Sequence, residues 1–190
     1  MMKNKYTPRN SESVSAKRGF TLIETFVAIS ILTLAVVAPM TLAARSLSIS
    51  YYVRDEMTAS YLAQEAIETI RNIRDSRSLE GLLAGSSVDP FSDIPSTDGA
   101  AFTVDAHVSA SNAMGLCSGA CDVVQTNGQF YGYNDGTSGW TDTRFTRTVT
   151  ASYVDGAHTD LRLSVTVSWK TGSFQERSVT LHENLYRWVQ

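Results

Sequence analysis

Twenty consecutive residues, Thr25 to Ala44, carry no charge. A helix needs about 20 apolar residues to cross a bilayer. This run therefore commits part of the chain to lipid, or to a protein environment equally poor in water. It follows directly on Lys17-Arg18-Gly19-Phe20-Thr21-Leu22-Ile23-Glu24. Glu24 thus stands near the start of the apolar segment, where a carboxylate is costly and needs a partner or a purpose. An ordinary secretory signal fits less well, since its apolar core is about 7–15 residues and ends at a small-residue cut site.

Charge divides the chain at the same place. Residues 1–19 hold Lys3, Lys5, Arg9, Lys17 and Arg18 against Glu12, a net of +4. The whole chain carries −3, which leaves −7 for residues 20–190. The basic side is expected to stay cytoplasmic by the positive-inside rule. The acidic remainder is expected to cross. A net of −7 argues against nucleic acid as a partner, because that surface wants a basic face.

The basic stretch, the Gly-Phe junction and the acid opening a long hydrophobic helix together resemble the class III signal of type IV prepilins and pseudopilins. Gly19 matches the last leader residue of that family. Phe20 matches the residue that becomes the new N-terminus and is N-methylated. Thr21, Leu22 and Ile23 match the short linker, and Glu24 matches the family's acid. The resemblance implies a prepilin peptidase that cuts between Gly19 and Phe20. It also implies that Glu24 meets the N-terminal amine of a neighbouring subunit during filament assembly. The cut precedes the apolar run, so the run stays in the mature protein as a membrane anchor. The expected organisation is a leader over residues 1–19 and a transmembrane and filament-core helix over 20–44. An amphipathic helix over 45–78 and a β-rich head over 79–190 follow.

The helix is expected to continue past the membrane, from Phe20 to about Ser76. Ala59, Ala63, Ala66, Ile70 and Ile73 recur at spacings of three and four, with Leu62 and Ile67 beside them. That is one apolar stripe on a 3.6-residue period. Charged residues, among them Glu68 and Arg71, fill the other faces. Gly81 and Gly85 are the expected stop. Pro39 lies inside the apolar half, where a missing N–H and a clash with the preceding turn predict a kink or local melting.

Residues 81–100 read as a loop rich in Gly, Ser, Asp and Pro. Strands are expected over 102–108, 145–154, 161–169 and 177–185. The clearest is Leu161, Leu163, Val165, Val167 and Trp169 alternating with polar residues. Asp155 to His158 reads as a turn, and so does Lys170 to Ser173. The head is then an antiparallel meander of about four strands with one face on the amphipathic helix, an α+β arrangement. Segment 109–143, with glycines between Phe130, Tyr131, Tyr133 and Trp140, reads as an irregular loop. Its aromatics either pin it to the core or form an adhesive, carbohydrate-contacting surface.

The two cysteines, Cys117 and Cys121, stand four apart. After export they are expected to pair as a disulfide. Metal binding is the alternative, but a lone Cys-x3-Cys without nearby His is a weak zinc signal. The redox Cys-x-x-Cys spacing is not met. His107, His158 and His182 stand in no nucleophile or metal pattern. No enzyme and no cofactor are expected.

The expected function is that of a structural subunit. Ala63-Gln64-Glu65-Ala66-Ile67-Glu68, Arg144-Phe145-Thr146-Arg147-Thr148-Val149, Val165-Thr166-Val167-Ser168-Trp169 and Arg177-Ser178-Val179-Thr180-Leu181 are similar to minor pilins of the pilus modification type. The implied partners are the prepilin peptidase, other pilin subunits, the pilus assembly machinery and the inner membrane, with no direct nucleic-acid contact. The machine is left open between an adhesion or motility pilus, a secretion system and a DNA-uptake apparatus. The rival reading is a tethered adhesin or sensor whose helix is only an anchor.

Overall fold

The computed structural model describes residues 19–96, 99–133, 139–171 and 176–187. The chain divides into two compact units, one ending at Ile49 and one running from Ser50 to Gln190. A single helix, α1 (Leu22–Ala84), supplies residues to both.

In the first unit α1 stays helical through Pro39, with no melted turn. The proline removes one N–H from the ladder, and the flanking turns hold. Every residue from Gly19 to Ser50 is exposed except Ser30, which is half-exposed.

The second unit is an α+β head. Ala59, Leu62, Ala63, Ala66, Ile67 and Ile70 form the buried stripe of α1. They share one core with residues of the sheet, among them Phe102, Val124, Val149 and Trp169. Small alanines in the stripe let a helix approach a sheet closely, and the isoleucines fill the pleats.

The sheet is entirely antiparallel. Its strands are β1 (Ala101–Val104), β2 (Met114–Leu116), β3 (Val123–Thr126), β4 (Tyr131–Gly132), β5 (Thr141–Tyr153), β6 (Asp160–Trp169) and β7 (Arg177–Tyr186). The meander β5–β6–β7 is its backbone. Phe145 pairs with Trp169 and Tyr153 with Leu161 in one unbroken register. β6 buries Leu161, Leu163, Val165, Val167 and Trp169, the alternation expected of a strand with one dry face. The other edge of β5 is shared. Its first residues pair with β3, and Val149 and Thr150 pair with β1.

Among the described residues the sheet therefore has seven strands rather than about four. The additional ones lie in segment 109–143, which is not simply an irregular loop. They are two to four residues long, too short for an alternation to show; β2 and β3 form on the edges of β1 and β5, and β4 on that of β3. The strand expected over 102–108 ends at Val104. Asp105 ends it, because its carboxylate accepts the backbone N–H of His107 at 2.9 Å and so makes a turn.

The helix runs on to Ala84 rather than stopping near Ser76. Gly81 does not end it but is buried inside it, where a Cβ would meet the Ser86 carbonyl and Val88 at 3.2 Å. The stop is Gly85, at φ +60°. The Ser86 N–H donates to the Gly81 carbonyl at 3.1 Å and the Gly85 N–H to that of Leu82 at 3.3 Å, a Schellman cap. In the turn expected at Lys170 to Ser173, Gly172 and Ser173 lie outside the described residues, as does Gly136 of segment 109–143 and the leader before Gly19.

Candidate functional site

Gly19 and Phe20 precede α1 and are not helical. A Cβ at Gly19 would meet nothing within 4 Å. The described packing thus does not require glycine there.

Thr21 caps the helix. Its Oγ1 accepts the Glu24 N–H at 3.3 Å, and its carbonyl accepts the N–H groups of Glu24 and Thr25 at 3.0 and 3.1 Å. Thr21-Leu22-Ile23-Glu24 has the spacing of a capping box, of which the threonine's half is formed. The signal for this role is a threonine three residues before a glutamate, which the linker reading of Thr21 does not use. The Glu24 carboxylate is exposed and makes no hydrogen bond or ion pair among the described residues. It lies at the positive end of the helix dipole.

The apolar half of α1 meets the demands of a dry environment. Phe26, Ile29, Ile31, Leu32, Leu34, Val37 and Leu42 are all exposed. The hydroxyls among them turn back onto the helix. Thr25 donates to the Leu22 carbonyl at 2.7 Å and Ser30 to that of Phe26 at 2.8 Å. Thr33 donates to the Ser30 carbonyl at 2.9 Å and Thr41 to that of Ala38 at 2.8 Å. Satisfying polar groups within the helix is what a hydrocarbon surround requires. This is the one helix among the described residues long and apolar enough to cross a membrane. Gly19, Phe20, Glu24 and Pro39 all belong to this first unit.

Within the head, charged pairs join the helix to the sheet. Buried Asp55 accepts from Arg144 Nη1 at 3.0 Å and from the Thr171 hydroxyl at 2.9 Å. Arg71 Nη2 meets Glu183 at 2.7 Å, and Arg74 Nη1 donates to the Tyr186 carbonyl at 3.0 Å. The central member is Arg147, whose side chain is fully buried. Its Nη1 donates to the Leu62 carbonyl and to Glu65, each at 2.8 Å, and its Nη2 donates to the Val104 carbonyl. The Tyr133 ring lies over its guanidinium at 5.9 Å. Burial pushes the Tyr133 phenol up, and the nearby Arg147 charge opposes that shift. Sequence reasoning misses Arg147, although Phe145, Val149 and Ala151 share its parity on β5 and point inward.

Cys117 and Cys121 are joined as a disulfide, with Cα atoms 4.9 Å apart. The bridge follows β2 and borders a groove of about 470 Å³ that Asp105, Asp122 and Tyr133 also line. Asp105 is already engaged there, since it accepts the N–H groups of His107 and Tyr133 at 2.9 Å each. Tyr131 and Tyr133 pack against the core, so these two aromatics pin the segment. Phe130 lies against the His107 ring, with centroids 4.6 Å apart. Among the described residues no group of three His, Cys, Asp or Glu side chains is placed to hold a metal ion.

Loss of the bridge is expected to have a small effect. The loop it closes is short, so the entropy withheld from the unfolded chain falls below the ~3 kcal/mol that chain entropy assigns to a 15-residue loop. Changing both cysteines to serine should lower head stability by about 1–2 kcal/mol in chemical denaturation. A loss as large as about 4 kcal/mol would mean that the bridge holds more than its own loop.

The chain matches no protein-family model, no curated protein and no solved structure.

Proposed function

We propose that this chain is a structural subunit of a type IV pilus or pilus-like filament, of the minor pilin type. It inserts with its N-terminus in the cytoplasm, is cut after Gly19 by a prepilin peptidase, and is assembled through its N-terminal helix. The observation that carries this reading is the exposed apolar half of α1. An apolar helix with its hydroxyls satisfied internally suits lipid, and it suits a bundle of like helices equally well. A subunit that moves from membrane to filament needs both.

Gly19 supports the processing step. Among the described residues nothing lies within 4 Å of a Cβ there, so its small size is left to serve another protein. Glu24 supports the assembly step. Its carboxylate has no partner among the described residues, so it is available to a neighbouring subunit's N-terminal amine.

Gly19→Leu should leave insertion intact and block the cut. The measurement is the mass of the membrane-extracted protein. The wild type should begin at Phe20, with the added mass of a methyl group, and the variant should retain residues 1–19. A wild-type chain beginning near Ala44 would show ordinary signal cleavage and end this reading.

A further inference from the structure

The strand β7 is an open edge. It pairs with β6 from Arg177 to Tyr186 in one continuous register and, among the described residues, with no other strand. In an antiparallel ladder alternate residues aim their N–H and C=O groups away from the partner, so β7 presents such a row on its outer side short of Tyr186, whose carbonyl accepts from Arg74. It carries no proline and no bulge of the kind that blunts edges elsewhere.

Beside that edge runs a groove of about 600 Å³ between β7 and α1. Tyr61 forms part of it, at 64% exposure. The surface continues along the helix through Met57 and Val53, at 52% and 43% exposure. These three residues are four apart and form an exposed apolar stripe. The groove is also acidic. Glu68 and Glu183 line it, both paired with Arg71, and Glu65 is held by Arg147, while Glu56 lies further along the helix beside Met57. At the start of β7 the charge reverses, since Arg177 lies over the Tyr52 ring at 4.2 Å.

We propose that β7 and this groove together form a docking site for an extended segment of another protein, which adds to the sheet as an eighth strand. Its main chain pairs with β7. Its helix-facing side chains are apolar towards Val53 and Met57 and basic towards Glu68 and Glu183. This is strand addition at a sheet edge, in which main-chain bonds give affinity and the flanking groove gives selectivity. The charge of the groove selects a basic segment over an acidic one.

The test uses the full chain in detergent and a short peptide alternating threonine first with valine and then with lysine. Two controls are the same peptide with glutamate in place of lysine, and one with alternate amides N-methylated. The lysine peptide should bind and slow hydrogen exchange of the β7 amides, and neither control should. Tyr61→Ala is exposed and should fold normally while weakening binding. Glu68→Gln with Glu183→Gln should weaken it about tenfold at low salt, at about two- to fivefold per exposed ion pair. Equal binding of the lysine and glutamate peptides would overturn the proposal. So would binding that leaves β7 exchange unchanged. Protection of β7 without peptide, with dimers in sedimentation, would make a second copy the occupant and overturn it as well.

Discussion

Arg147→Met should lower head stability by about 3 kcal/mol. The guanidinium is fully buried and bonds the Leu62 carbonyl, the Glu65 carboxylate and the Val104 carbonyl. Removing one partner of a buried ion pair costs about 3–5 kcal/mol, because the groups left behind stay desolvated. Here the Glu65 side chain is 31% exposed and regains some water, which puts the loss near the lower end. The Val104 carbonyl loses a bond inside the core. The Arg147 Nε has no partner among the described residues, so that donor already carries a cost which methionine removes. Lysine is no substitute, since one ammonium cannot hold three acceptors in the fork geometry of arginine. The measurement is the urea midpoint of the full chain in detergent, followed by tryptophan fluorescence. A loss under about 1 kcal/mol would show that helix and sheet do not depend on this clamp.

Glu24→Ala should remove the chain from filaments without disturbing insertion or cleavage. Insertion is helped rather than harmed by losing a charge from an apolar helix. The cut is spared because the Gly19-Phe20 junction is unchanged. The Thr21 cap survives too, since it uses the backbone N–H of residue 24 and not the carboxylate. In an apolar filament core, however, the neighbouring subunit's amine would be left without a counter-charge. An unpaired buried charge costs several kcal/mol, enough to cut incorporation well over tenfold. Processed Glu24→Ala at wild-type levels in sheared filaments would show that the carboxylate does not direct assembly.

The parts of the fold legible in the sequence are those whose partners are near in the chain or whose period is long. The stripe from Ala59 to Ile73 repeats over four turns, and all seven of its residues are buried in the helix. The alternation from Leu161 to Trp169 is uninterrupted, and β6 follows it. The short strands β2, β3 and β4 are hidden because β2 and β3 depend on edges offered by β1 and β5, and β4 on the edge of β3, which no local pattern reports. Asp105 ends β1 through its own side chain, against a pattern of Ala106 and Val108 that favours extension. Arg147 is hidden by its charge, since a basic residue reads as solvated until the parity of Phe145 and Val149 is weighed against it. At the N-terminus, Thr21 is legible as a cap from the glutamate three residues on, while the role expected of Glu24 needs a partner beyond this chain.

Incorporation of the mature chain into a surface filament through its apolar helix is tested most directly on filaments sheared from intact cells, separated from membranes and weighed by intact mass. The expected result is a chain that begins at a methylated Phe20 and runs on through Gln190, recovered with the filament. Recovery of that chain from the membrane fraction alone, with filaments present and free of it, would contradict a filament subunit.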